Sequence, residues 1–101
     1  MYYAYLRKTF SSLSYALLSV YKNDKNKDYI ISNAISLDTV QKIASEVKQK
    51  QIAVDNFRLL SAIEDRNLSG VKRALYFMNL TISIKNKFSK IKNKLWSLSK
   101  D

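Results

Sequence analysis

The amino-acid sequence predicts an all-α protein: a small helical bundle of three to five helices that ends in a basic amphipathic helix. The chain of 101 residues contains no proline and one glycine, Gly70. Proline and glycine are common where the backbone turns sharply or a helix ends. A sequence almost without them is therefore poor in tight hairpin turns and helix breakers. Apolar residues also recur at spacings of three and four, the period of an amphipathic helix. The length allows one modest core, so we expect residues 1–101 to form a single helical domain.

The first helix is predicted over residues 2–21. Within it, residues 9–21 are uncharged and follow Arg7 and Lys8, a length that suits a signal-peptide core and is too short to span a bilayer. Serine and threonine dilute this segment and no clean cleavage pattern follows, so a core helix is favoured over a signal peptide or a surface-lying anchor. The apolar stripe of this helix consists of Tyr3, Leu6, Phe10, Leu13, Leu17 and Val20.

A polar linker is predicted at residues 22–28 (KNDKNKD), and a helical core at residues 38–78. The core begins with a second helix at Asp38, which is expected to cap it, with Gln41 as the reciprocal partner of a capping box. This helix extends to about residue 65, as one helix or two, because residues 48–51 (KQKQ) are all good helix formers. A third helix is predicted from Ser69, after the turn signal NLSG at 67–70.

Residues 39–60 (TVQKIASEVKQKQIAVDNFRLL) resemble a helix-turn-helix in part. Ala44 stands where a small residue lets the two helices of that motif approach. Ile43, Val54 and Phe57 fit its inward positions. The alternative for the same residues is a plain core helix or a helix pair.

Residues 57–90 resemble one degenerate ankyrin unit. The stretch 59–75 (LLSAIEDRNLSGVKRAL) is similar to the family's helix, tight turn and second helix, with Ala62, Val71 and Leu75 at the packing positions. Residues 80–87 (LTISIKNK), which begin with a strand-like alternation, are similar to the extended finger that follows. The resemblance implies a protein-binding surface centred on residues 57–84.

A basic helical tail is predicted over residues 84–100, either separate from the third helix or continuous with it. The tetrapeptide IKNK occurs at 84–87 and again at 91–94, which places apolar residues on a heptad seam flanked by lysines. Simple self-pairing would set these lysines against one another. Three arrangements stay open: the seam packs on the protein's own core, it lies in an anionic membrane surface, or the lysines face phosphates. The seam consists of Ile84, Phe88, Ile91, Leu95 and Leu98, and its flanks of Lys85, Lys87, Lys92 and Lys94.

The positive charge is concentrated in the last third of the chain. Residues 1–65 hold nine Lys/Arg against seven Asp/Glu, a net charge of +2, and residues 66–101 hold nine against one, a net charge of +8. Such a field attracts polyanions or anionic membranes; the alternative is a solvated surface that only keeps the protein soluble. The tail contains lysine and no arginine, which favours generic phosphate attraction over base-specific contacts. The residues expected to bind an anionic partner are Lys72, Arg73, Lys85, Lys87, Lys90, Lys92, Lys94 and, as a stacking or interfacial contact, Trp96.

The residue types argue against catalysis. Histidine and cysteine are absent, which removes the usual zinc ligands, a thiol nucleophile and the commonest general base near neutral pH. Among the dispersed carboxylates, Asp38 has the capping role above, and Glu46 stands four residues before Lys50, the spacing of a helical ion pair. We therefore expect a protein that is not an enzyme and that uses no cofactor or metal.

These features predict a non-catalytic, cytoplasmic protein that binds an anionic partner, with nucleic acid as the leading candidate. The first alternative is a helical protein at an anionic membrane surface, of the immunity-protein type that protects a cell against a pore-forming peptide. That function would need the apolar seam as well as the lysines. The second alternative is an ankyrin-like module that binds a protein partner.

Overall fold

The computed structural model of the protein describes the backbone of residues 2–99 and the side chains of residues 2–87. Regular structure in these residues is entirely helical, which confirms the predicted all-α class, and the helices pack around one apolar core as a small bundle. In chain order they are α1 (Tyr2–Asn23), α2 (Lys27–Ile35), α3 (Asp38–Gln49), α4 (Phe57–Glu64) and α5 (Leu68–Ser99). No helix in the described part of the chain has the length and apolarity needed to cross a bilayer.

Helix α1 buries most of the apolar stripe predicted for it. Tyr3 is the exception, because its ring is 57% exposed. The other members of the stripe are buried or pack against the core: Leu6, Phe10, Leu13, Leu17 and Val20.

The start of α1 meets the end of α3 through polar and aromatic contacts. The Tyr2 hydroxyl donates a hydrogen bond to the Glu46 carboxylate, which raises the pKa of the Tyr2 phenol. Lys50 Nζ lies 5.1 Å from the ring centroid of Tyr2 and 5.7 Å from that of Tyr3. The ion pair predicted between Glu46 and Lys50 is therefore wrong: the carboxylate and the ammonium group each engage the tyrosines of α1.

The linker predicted at residues 22–28 is shorter in the structure. Helix α1 continues through Asn23 and α2 begins at Lys27, so only residues 24–26 connect them. Asp24 makes this short connection possible, because its carboxylate accepts a hydrogen bond from the Asn26 backbone N–H at 3.0 Å, an Asx-type turn. Helix α2 then buries Ile31 and Ile35 in the core.

The capping box predicted at the start of α3 is not formed. Leu37 is the N-cap residue, and its carbonyl accepts the Gln41 backbone N–H at 3.0 Å, whereas Asp38 is already helical. The Gln41 side-chain amide donates instead to the carbonyls of Ile35 and Ile63. Both carbonyls lie at helix C-terminal ends, where acceptors lack intrahelical partners, so this side chain joins the ends of α2 and α4.

The structure divides the second predicted helix into α3 and α4, with residues 50–56 between them. Helix α3 ends because Gln51 adopts a left-handed conformation, with φ of 53°, and the Ile52 N–H donates to the Val47 carbonyl at 3.1 Å. This is a Schellman ending, accompanied by packing of Ile52 against the core. Among the positions of the helix-turn-helix resemblance, Ala44 is buried, but Phe57 is 60% exposed and so does not point inward.

Helix α5 starts at Leu68, close to the prediction, and packs tightly on α4. The Asn67 side chain accepts the Gly70 N–H at 3.3 Å. A Cβ on Gly70 would lie 3.2 Å from the Ala62 Cβ, so this glycine permits a close approach of the two helices.

Residues 80–87 belong to α5, so the extended finger of the ankyrin resemblance is wrong for this stretch. The alternation of apolar and polar residues in this stretch is also compatible with a helix. In that helix Met78 and Ile82 pack against the core, and Leu80 and Ile84 are exposed. A helix pairs its own backbone groups, whereas an isolated finger would leave them without partners. The tail is thus continuous with the third predicted helix.

Candidate anion-binding groove

Four of the eight predicted site residues have described side chains. Lys72, Arg73, Lys85 and Lys87 lie on α5 between its first turn and residue 87. The other four, together with the heptad seam beyond Ile84, lie outside the described side chains: Lys90, Lys92, Lys94 and Trp96.

The four described cations do not form one patch. Lys72 Nζ lies 3.0 Å from Asp28 Oδ1 of α2. Arg73 and Lys87, 14 positions apart, are separated by only about 40° around the helix axis and share the outward face of α5. Lys85 is turned by about 120° from Arg73, towards α1.

The outward face of α5 also carries large apolar side chains. Ile84, the first member of the predicted seam, is 64% exposed, so at this position the seam does not pack on the protein's own core. The exposed apolar residues between Arg73 and Lys87 are Tyr76, Phe77, Leu80 and Ile84.

A groove of about 760 Å³ runs between α1, residues 53–56 and α5. We call it the α1–α5 groove. Two adjacent residues of α1, Arg7 and Lys8, line it together with Lys85 of α5. Asp55 is the one carboxylate among its described lining residues, which thus include three cations and one anion. The remaining lining residues are Ala4, Phe10, Ser11, Ser12, Ser14, Tyr15, Ala53, Val54, Asn56, Phe77, Met78, Thr81 and Ile82.

Local structure explains why these side chains meet. On α1, Phe10 and Ser14 point into the core, and the Ser14 hydroxyl donates to the Phe10 carbonyl at 2.8 Å. Arg7 and Ser11 lie beside this buried stripe at the helical spacing of four. After the Schellman ending of α3, residues 53–56 line the groove together with α1, and Val54 packs against the core.

The groove cations form no ion pair with any other described side chain. Within the described side chains the ion pairs are Lys72–Asp28 and Lys48–Glu64, the latter at 2.9 Å, and neither includes a lining residue. Hydrogen bonding to Glu64 raises the pKa of Lys48. Because Arg7, Lys8 and Lys85 have no such partner among residues 2–87, an anion could bind them without breaking an ion pair in that part of the chain.

Two exposed aromatic residues line the groove, one from α1 and one from α5. Tyr15 of α1 is 56% exposed and Phe77 of α5 is 46% exposed. The Phe77 ring packs edge-on against Tyr76, with 5.6 Å between the ring centroids. Aromatic faces beside cations are suited to planar anionic ligands, because rings stack while cations hold the charge.

Sequence reasoning identified Lys85 but missed Arg7, Lys8, Tyr15, Asp55 and Phe77. In the sequence, Arg7 and Lys8 stood out only as the charged residues before the uncharged segment 9–21, and nothing local connects them with Lys85, 77 or more positions later. The described side chains contain no group of three or more acidic, histidine or cysteine residues that could hold a metal ion.

Comparisons with protein-family models, with curated proteins and with solved structures find no match to this chain.

Proposed function

We propose that this chain is a non-catalytic binding protein whose partner is nucleic acid, held through its phosphates. The observation that carries the proposal is the convergence of Arg7 and Lys8 from α1 and Lys85 from α5 on one groove. Arg73 and Lys87 are exposed on the outward face of α5, outside the groove, and form a second positive region. A phosphate backbone that contacts both regions would release several condensed counterions, which is the main source of sequence-independent affinity.

The proposal predicts a salt dependence that can be measured. A fluorescently labelled oligonucleotide is titrated with the protein at several salt concentrations. The triple variant Arg7→Gln, Lys8→Gln, Lys85→Gln is expected to bind more weakly. Its slope of log K against log salt should be reduced by about 2 to 3, since each phosphate contact contributes about 0.7 to 0.9.

A matched control removes the same charge elsewhere. Lys22, Lys25 and Lys42 are exposed and do not line the groove. Their replacement by glutamine should lower the affinity only through the weaker overall field and should leave most of the slope intact. Equal losses of slope in the two triple variants would contradict a role for the groove.

The outward face of α5 favours a second candidate, attachment to an anionic membrane surface. Leu80 and Ile84 are 40% and 64% exposed, between Arg73 and Lys87, an arrangement in which apolar side chains enter a bilayer surface and cations meet headgroups. Co-sedimentation with anionic vesicles should then be lost in the double variant Leu80→Ser, Ile84→Ser. Loss of nucleic-acid binding is not expected in that variant, because both side chains lie outside the groove.

A further inference from the structure

We infer that the α1–α5 groove binds single-stranded nucleic acid, with Tyr15 and Phe77 stacking on unpaired bases and Arg7, Lys8 and Lys85 holding the backbone. This inference rests on the proposed function. It adds the class of nucleic acid and names the residues that distinguish a single strand from a duplex.

The two rings carry the argument. Tyr15 and Phe77 are 56% and 46% exposed and come from different helices, yet both line the same groove. Neither is a core residue, because the core of the bundle is built from other side chains. Solvated rings on groove walls offer faces on which bases can stack, and such stacking tolerates any base sequence.

The groove favours a single strand over a duplex. In a duplex each base is already stacked between its neighbours, so a protein ring reaches a base face only if the base is extruded, at a cost in pairing and stacking. A single strand presents these faces freely. The groove volume of about 760 Å³ lies within the range of pockets that enclose small ligands, about 300 to 1,000 Å³, and so suits a short stretch of nucleotides.

The polar lining is consistent with backbone contacts. The hydroxyls of Ser14 and Thr81 are occupied, since they donate to the carbonyls of Phe10 and Phe77. Arg7, Lys8 and Lys85 supply the charged contacts, and the exposed Ser11 and Ser12 also line the groove. Lysine at two of these three positions favours attraction to phosphate over reading of base edges.

The test compares an unstructured oligonucleotide with a hairpin duplex that has the same number of phosphates, using the full chain at low and high salt. We expect the single strand to bind more tightly. Tyr15→Ala and Phe77→Ala should each weaken single-strand binding about tenfold and change duplex binding little. Tyr15→Phe, which keeps the ring, should bind like the unaltered protein. Tyr29→Ala is the matched control, because Tyr29 is 73% exposed on α2 and does not line the groove.

The outcomes separate this inference from the proposed function. If the charge variants lose affinity while Tyr15→Ala and Phe77→Ala bind like the unaltered protein, the single-strand inference is overturned and the proposed function stands. If Tyr15→Phe loses as much affinity as Tyr15→Ala, stacking is overturned. If neither oligonucleotide binds at low salt, both are overturned. Circular dichroism and thermal melting of each variant establish that the exposed substitutions leave the bundle folded.

Discussion

Lys72 Nζ of α5 lies 3.0 Å from Asp28 Oδ1 of α2, so a lysine that was predicted to bind an anionic partner forms a surface ion pair within the protein. The neighbouring carboxylate gives Lys72 an internal partner, whereas Lys85 faces the groove without such a partner among the described side chains. Two lysines of the same helix thus have different environments.

The Lys72–Asp28 pair predicts unequal effects of two similar substitutions. Lys85→Gln should weaken oligonucleotide binding several-fold at low salt, and Lys72→Gln should weaken it less. Lys72→Gln should cost at most about 1 kcal/mol of stability, because pairs this exposed contribute about 0.2 to 1 kcal/mol. Titrations of the two variants side by side check the first expectation, and urea denaturation checks the second. A larger loss of binding in Lys72→Gln would contradict the placement of the site in the groove.

Removal of the groove carboxylate should strengthen binding. Asp55 lies among three cations, so it repels any phosphate that approaches them. We expect Asp55→Asn to raise the affinity for an oligonucleotide about twofold to fivefold at low ionic strength, with a smaller gain at high salt because the repulsion is screened. Asp24→Asn is the control, since Asp24 is exposed and does not line the groove. Equal gains in affinity in the two variants would mean that the net charge of the protein, and not the position of Asp55 in the groove, causes the effect.

The orientation of α5 predicts a sharp contrast between two leucines of that helix. Leu75 is fully buried against the core, whereas Leu80 is 40% exposed. Leu75→Ala should lower the free energy of unfolding by about 2 to 5 kcal/mol, the range for large-to-small core substitutions. Leu80→Ala should cost less than about 1 kcal/mol. Denaturant unfolding of both variants measures the difference, and a costly Leu80→Ala would mean that the outward face is covered.

The end of α3 offers a stabilising substitution. Gln51 has a φ of 53°, a left-handed conformation that costs a residue with a Cβ about 1 to 2 kcal/mol. Gln51→Gly should therefore stabilise the protein by up to about 1 kcal/mol, after the greater chain entropy of glycine in the unfolded state is subtracted. Lys42→Gly, at an exposed position in the interior of α3, should instead destabilise it by about 1 kcal/mol. Thermal melting of the two variants would reveal an opposite change in Tm, and a fall in both would contradict the Schellman ending.

Much of the fold could be predicted because helical periodicity is a local property. The stripe from Leu6 to Val20 specifies α1, since the side chains three and four positions apart meet on one face whatever the rest of the chain does. The same reasoning placed the start of α5 within one residue. It erred at Asp38, where a sequence suited to capping was overridden by the use of Gln41 to join two other helix ends.

The break between α3 and α4 could not be predicted from residues 48–51. All four favour a helix, and the chain leaves the helix at a glutamine because Ile52 and Val54 gain burial against the core. Similarly, the alternation at residues 80–84 is compatible with a strand or a helix. The helix is favoured because Met78 and Ile82 then pack against the core.

The sequence by itself determined the helical class, the amphipathic face of α1 and the concentration of +8 of charge in residues 66–101, because composition and periodicity are carried by each segment alone. Only the tertiary structure decided which charges meet. Packing brings Arg7 and Lys8 to Lys85 across 77 or more positions of chain, turns Lys72 away to Asp28, and sets Tyr15 and Phe77 on the walls of one groove. Such long-range proximity depends on the relative placement of whole helices, which no local pattern encodes.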